Sequence, residues 1–135
     1  MIQTKNIFRI FIFIIGVALF SFTDPTPQDN PEIINAIKSG NSSLLAKNFN
    51  NSIDLLIPGN EGTYSKAQAE IIIGNFFKAN PPKSFSVKQE GTSSDSSKYT
   101  IGTYNSSNGK NFRTYYLTKK IGSSQLIQLL QFELN

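Results

Sequence analysis

Two adjacent prolines, Pro81-Pro82, divide this chain into a part dominated by helical periodicity and a part written in strand periodicity. Ahead of them, Pro31 takes the favoured first helical position after Asn30, with Glu32 in the first turn. Ile33, Ile34 and Ile37 mark one face of a short helix that ends at Gly40. Asn41 is placed to cap a second short helix, with Leu44, Leu45 and Phe49 on its apolar side. Ser52 to Ile57 is rich in large aliphatics and stops at Pro58-Gly59, as a strand does. Ser65-Lys66-Ala67-Gln68 fits a capping box, and Ala69, Ile72, Ile73 and Phe76 follow at helical spacing. Gly74 within that helix costs about 1 kcal/mol relative to alanine, which is tolerable where a neighbouring backbone packs closely.

Beyond the prolines, turn residues recur at Gly91 to Ser97, Ser106 to Gly109 and Gly122 to Ser124, leaving room for four strands. Asn108-Gly109 suits a type I′ turn joining Lys98–Tyr104 to Phe112–Lys119 as a hairpin. In the last strand, Gln125 to Leu134, the residues Leu126, Leu130, Phe132 and Leu134 alternate with Gln125, Gln131 and Glu133. Gln128 and Leu129 interrupt the pattern, as a bulge or a second covered surface would. The order helix, helix, strand, helix, four strands predicts an α+β fold, a curved antiparallel sheet wrapped on one side around the helices.

The N-terminal stretch is of another kind. Lys5 and Arg9 precede Ile10 to Phe22, a run broken only by Gly16 and Ser21, and polar Thr23-Asp24-Pro25 ends it. This is the form of a secretory leader, shorter than the roughly 20 apolar residues that a membrane span needs. Export followed by cleavage is therefore expected rather than a permanent membrane anchor, with small residues at Ser21 and Thr23 near the cut. The expected plan is a signal peptide over residues 1–23, a short lead-in over 24–30 and one domain over 31–135. Without Lys5 and Arg9, eleven bases face nine acids. The bases are spread singly apart from Lys119-Lys120, which is no nucleic-acid footprint. Cysteine and histidine are both absent. That excludes disulfides, thiolate zinc sites, a cysteine nucleophile, a lipid anchor on an N-terminal cysteine and Ser-His triads, and it removes the commonest metal ligand. No phosphate-binding glycine loop, metal-spaced acid cluster or internal repeat is present, and no cofactor is indicated.

The layout resembles the cone-shaped α+β fold of the nuclear transport factor 2 superfamily. Tyr64-Ser65-Lys66-Ala67-Gln68-Ala69-Glu70, Phe76-Phe77, Asn80-Pro81-Pro82-Lys83-Ser84-Phe85, Ile101-Gly102-Thr103 and Phe112-Arg113 look like a bacterial exported family catalogued as domain of unknown function 4783. The resemblance covers about Pro31 to Glu133 and implies a fold and an export route. It implies no activity, because the family has none assigned and fold alone conveys no function.

Superfamily enzymes place Asp, Tyr or His groups inside the cone, and the histidine-dependent versions are impossible here. Asp54 lies between Ile53 and Leu55, so alternation turns it to the opposite, wet face. Glu70 can pair with Lys66 one turn earlier, while Asp95 and Glu61 are expected in turns. No two carboxylates are spaced as an acid and base pair. Arg113, the only arginine outside the leader, shares a strand face with Tyr115, Leu117 and Lys119. That face can hold an anionic or aromatic ligand or a partner, through a bidentate Arg113 contact and stacking on Tyr115; the plainer reading is a solvated face. The opposite face carries Phe112, Thr114, Tyr116 and Thr118, joined by Phe85, Tyr104 or Tyr99, Leu130 and Phe132 as core. If the cone is hollow, its lining would be Phe76, Tyr104, Phe112, Tyr116, Leu130 and Phe132. Asn41-Ser42-Ser43, Asn50-Asn51-Ser52 and Asn105-Ser106-Ser107 match the N-glycosylation pattern, which carries weight only in a eukaryotic secretory pathway.

Together these features favour a non-catalytic exported interaction module, in the periplasm or at the cell surface, that forms a homodimer or meets another exported protein through its sheet. A carrier of a small apolar ligand in the cone is the alternative. A hydrolase or isomerase using Asp or Glu with Tyr or Lys is the third reading.

Overall fold

A computed structural model of the protein describes residues 30–135; the expected leader and most of the lead-in lie outside them. Three helices and six strands follow in the order α1 (Pro31–Ser39), α2 (Ser42–Ala46), β1 (Phe49–Ile57), β2 (Asn60–Ser65), α3 (Lys66–Ala79), β3 (Pro82–Thr92), β4 (Lys98–Ser106), β5 (Asn111–Ile121) and β6 (Ser124–Leu134). The strands form one sheet in the order β2-β1-β6-β5-β4-β3. All neighbours run antiparallel except β1 and β6, which are parallel, so the expected all-antiparallel sheet is corrected to a mixed one. The reason is topological: β1 precedes the whole second half of the chain and is joined by β6 only after the β3–β6 meander.

The helix starts follow the residues that predict them. Asn30 accepts from the Glu32 amide, Asn41 from the Leu44 amide, and Ser65 and Gln68 form the reciprocal capping box of α3. Gly40 closes α1 at φ 62°, where the Asn41 amide reaches back to the Ala36 carbonyl, and a Cβ there would come within 3.0 Å of Pro82 Cδ. Gly74 faces α2: its missing Cβ would lie 3.2 Å from Ser42 Oγ, so a side chain rather than a backbone makes the close approach.

Three local expectations change. Phe49 opens β1 instead of closing the apolar side of α2, which is only five residues long. Residues 60–65 form a sixth strand, paired with β1 from Ile57↔Asn60 to Ser52↔Ser65, so Glu61 lies in a strand and not in a turn. The β4–β5 hairpin is where the sequence puts it, but Asn108 does not have positive φ. Gly109 alone does, at 89°, with its amide on the Ser106 carbonyl, and the Ser106 amide bonds the Lys110 carbonyl. That is a tight turn followed by a glycine bulge rather than type I′.

One face of the sheet packs on the helices. Ile33, Ile37, Leu45, Phe49, Ile53, Leu55, Ile73, Tyr104, Tyr116, Ile127 and Leu130 are all essentially sealed from solvent. Register shifts between Val87 and Gln89, between Leu117 and Thr118, and within β1 curve the sheet around them. The shift at Leu117/Thr118 leaves Gln128 as the extra residue on β6, where the sequence breaks its alternation. It therefore turns Leu126 to the face that carries Lys119, while Ile127 takes the buried side.

The Asn80-Pro81-Pro82 junction is tied to the β4–β5 hairpin. The Tyr104 hydroxyl donates to the Asn80 carbonyl, and Asn108 Nδ2 donates to Asn80 Oδ1 at 2.9 Å and to the Ala79 carbonyl at 3.0 Å. The Ser106 hydroxyl and the Ser107 amide both reach the Pro81 carbonyl. Burial holds the Tyr104 phenol well above its ordinary pKa, so it donates at any physiological pH.

Candidate functional site: the outer face of the sheet

Inside the cone, the six residues that would line a hollow lie against one another. The Phe76 ring stacks on Phe132 at 4.5 Å, meets Phe112 edge-on at 5.1 Å and lies 5.8 Å from Tyr104. Tyr116 pairs across strands with Leu130, and both are fully buried. Phe85 covers Gly102, whose added Cβ would fall 2.7 Å from the Phe85 ring. Thr114, between Gly102 and Phe132 in the same register row, keeps a buried hydroxyl without a hydrogen-bond partner among the described residues.

Clefts open at the surface of the described residues instead. One, of about 440 Å³, lies between Asn30 and Glu32 of α1, Lys47 and Asn48 after α2, Lys98 of β4 and the Thr118–Leu126 end of the β5–β6 hairpin. A shallower one of about 210 Å³ runs from Leu56–Pro58 and Glu61 to Gln131–Leu134. Among the described residues no group of three metal-ligating side chains occurs, and no helix is long and apolar enough to cross a membrane.

The acids are dispersed. Asp54 is exposed and accepts from Thr63 Oγ1 at 2.6 Å. Glu70 is half-buried, and no ion pair joins it to Lys66. Asp95, in the β3–β4 loop, accepts from the Ser97 hydroxyl and from the Ser97 amide at 3.1 Å, which hold its carboxyl below the ordinary range.

Alternation places Arg113, Tyr115, Leu117 and Lys119 together on the outer face, with the two ends exposed and the middle pair half-buried. The strand register extends this into rows. Asp54, Leu129, Leu117, Tyr99 and Gly91 form one; Leu56, Gln131, Tyr115, Ile101 and Gln89 the next; Glu133, Arg113, Thr103 and Ser86 the third. Leu56, Ile101, Leu117 and Leu129 are half-buried by their neighbours in the sheet but are not part of the core or packed against it. The Tyr99 ring lies over Gly91, where a Cβ would come within 2.3 Å of it, and stacks on Tyr115 at 6.4 Å with planes 16° apart. Gln89 Nε2 donates to the Tyr99 hydroxyl at 3.3 Å. One side of Tyr115 is therefore occupied by Tyr99. Arg113 makes no hydrogen bond or ion pair with any described residue.

Reasoning from the sequence missed Leu56, Tyr99, Ile101, Leu129 and Glu133 as members of this face. Pairing the two halves of the Asn-Gly hairpin would have found Tyr99 and Ile101, since each falls opposite Leu117 or Tyr115. Leu129 and Glu133 follow likewise from the β5–β6 hairpin, opposite Leu117 and Arg113, whereas Leu56 depends on the parallel β1–β6 contact, which leaves no local trace.

A half-cone of curved sheet closed by three helices is the architecture of the nuclear transport factor 2-like class. A protein of that class and of unknown function from Silicibacter pomeroyi superposes with TM-score 0.58 at 11% identity, over 78% of this chain and 88% of that one, which supports the fold alone. Within the class the chain belongs to the family described as Domain of unknown function (DUF4783), whose sequence model matches residues 30–133. Crystal structures of family proteins are similar to it: from Bacteroides ovatus at 28% identity, TM-score 0.74, over 79% of this chain and 96% of that one, and from Bacteroides fragilis at 26%, TM-score 0.74, over 80% and 100%. No curated protein matches the chain. The family is one of unknown function, and no catalytic activity is indicated by it.

Proposed function

We propose that the protein is an exported, non-catalytic interaction module whose working surface is the outer face of the sheet, acting in the periplasm or at the cell surface. The observation that carries this reading is the set Leu56, Ile101, Leu117 and Leu129. These are four aliphatic side chains gathered in two adjacent register rows, outside the core cluster, on the face turned away from the helices. These half-buried aliphatic side chains, interleaved with Tyr115 and Gln131 and bordered by Arg113, Lys119, Glu133 and Asp54, have the anatomy of a protein contact, an apolar centre within a charged rim. The mutual packing of Phe76, Phe112 and Phe132 supports this module over a carrier of apolar ligands in the cone. Export is supported by the charged and then apolar N-terminal sequence.

The test is a native mass spectrum of the protein from cells that make it, beside that of the variant R113A/Y115A. Masses of complexes that shift or vanish in the variant are expected. Identical association in both counts against the reading. A chain mass beginning near Asp24 is expected from leader cleavage, and retention of Met1 to Phe22 counts against export with processing.

A further inference from the structure

We propose that Asn108 is a site of spontaneous covalent modification: the fold clamps its Asn-Gly pair against deamidation, and its conversion releases the tip of the β4–β5 hairpin from the end of α3. Asn108-Gly109 is the only Asn-Gly pair in the chain. Glycine has no Cβ, so its amide nitrogen closes on the side-chain carbonyl of a preceding asparagine more readily than that of any other residue. Around Gly109 nothing stands in the way: a Cβ there would meet no atom within 4 Å, and Asn108 itself is exposed. Sequence and sterics make this turn reactive, but its hydrogen bonds oppose the reaction. Asn108 Nδ2 spends both of its donors, on the Ala79 carbonyl at 3.0 Å and on Asn80 Oδ1 at 2.9 Å, while Asn108 Oδ1 accepts the Lys110 amide at 2.9 Å. Asn80 is itself fixed, because it is buried and its own Nδ2 donates to the Phe76 carbonyl at 3.3 Å. The attacking atom is held as well, since the Gly109 amide donates to the Ser106 carbonyl at 3.1 Å. Ring closure requires the Asn108 side chain to leave its partners and the Gly109 amide to leave its own.

Water is the only co-reactant. Hydroxide removes the Gly109 amide proton and the nitrogen bonds to Asn108 Cγ. The Cγ–Nδ2 bond then breaks, and the nitrogen leaves as ammonia with a proton taken from water. Hydrolysis opens the resulting cyclic imide at either carbonyl, to aspartate or to isoaspartate, whose main chain is lengthened by a carbon. Either product puts an acceptor where a double donor stood. The new carboxylate faces Asn80 Oδ1 and the Ala79 carbonyl, acceptor against acceptor, and both hydrogen bonds are lost. The remaining ties of the junction do not pass through Asn108: the Tyr104 hydroxyl holds the Asn80 carbonyl, and the Ser106 hydroxyl and Ser107 amide hold that of Pro81. The change therefore loosens the turn against Asn80-Pro81-Pro82 and leaves the β4–β5 ladder paired, as a one-way record of how long the turn has stood open. Asn41-Ser42, Asn51-Ser52 and Asn105-Ser106 are the slower comparators within the same chain, because serine carries a Cβ.

The experiment is peptide mapping by mass spectrometry, with aspartate and isoaspartate resolved, during incubation at mildly alkaline pH of folded wild type, wild type in urea, and folded N80A, the variant first shown to unfold cooperatively as wild type does. In urea, Asn108 is expected to convert before every other asparagine. In folded wild type its conversion is expected to be at least about tenfold slower, because two side-chain hydrogen bonds must open first. N80A takes away one of the two acceptors and is expected to raise the rate at Asn108 while Asn51 in β1 keeps its wild-type rate. Equal rates at Asn108 in the folded and urea-unfolded chains overturn the clamp, and so does an N80A rate that rises no more at Asn108 than at Asn51. An unfolded chain that converts first elsewhere overturns the choice of site. N108D carries one product from the start and needs no incubation: a lower urea midpoint is expected, with a folding equilibrium constant at least about tenfold smaller. An unchanged midpoint overturns the release of the hairpin.

Discussion

The two faces of this one sheet both carry large side chains, but only the inner one packs them against the helices. On the inner face, Phe112, Tyr116, Leu130 and Phe132 are at most 2% exposed and interlock with Phe76 and Phe77 of α3. On the outer face, Leu56, Ile101, Leu117 and Leu129 stand outside the core cluster and are half-buried, with Arg113 and Glu133 adjacent in one row. Inner positions are specified by shape, since close-packed rings leave each substitution a cavity or a clash. Outer positions are specified by pattern. The difference teaches that the inner face builds the core, while the aliphatic residues of the outer face stand outside it.

That contrast can be broken or sharpened in order of effect. Phe76→Ala removes the ring at the centre of the aromatic cluster and is expected to cost about 3–5 kcal/mol in urea unfolding. A loss below about 1 kcal/mol would mean that the cone is loosely filled and would revive the carrier reading. Tyr104→Phe keeps the ring but takes away the hydroxyl that donates to the buried Asn80 carbonyl, with an expected loss of about 1–2 kcal/mol by the same measurement. Thr114→Val should go the other way. It replaces a buried hydroxyl that has no partner by a methyl of equal shape, and a gain of up to about 1 kcal/mol is expected; a clear loss would show that the hydroxyl has a hidden partner.

Asp95→Asn is expected to have the smallest effect, since the carboxyl is fully exposed. The Ser97 hydroxyl and amide lower its folded pKa, so the stabilisation exists above the unfolded carboxylate pKa and is lost as pH falls through the lowered folded value. Acid unfolding curves of variant and wild type should therefore differ slightly above that range and converge below it.

How much of this was legible beforehand follows from how local each feature is. The capping box at Ser65 and Gln68, the Gly40 stop, the β4–β5 hairpin and the bulge near Gln128 are each decided by a few adjacent residues, and each stands where the sequence puts it. The missed β2 has little strand propensity of its own: Asn60, Glu61 and Gly62 are poor strand formers, and it exists as an edge because β1 offers it a ladder. Phe49 looks helical because it lies four residues after Leu45, but the chain leaves α2 at Lys47, and the Asn48 carbonyl takes the Ile127 amide at 2.7 Å. Arg113, Tyr115 and Lys119 could be grouped by alternation alone. Their β6 neighbour Leu129 follows from the β5–β6 hairpin but is displaced by the bulge at Gln128, and Leu56 on β1 comes from the parallel pairing of strands far apart in sequence, beyond the reach of spacing rules.

The central claim, that the outer face works and the inner face folds, is tested most directly by Leu117→Asp, assayed for both association and stability in one sedimentation and urea-unfolding series. The account expects a chain that unfolds within about 1 kcal/mol of the wild-type monomer yet no longer associates. A variant that still associates as wild type does would contradict the account, and so would one that loses several kcal/mol of monomer stability, since Leu117 would then belong to the fold rather than to a partner.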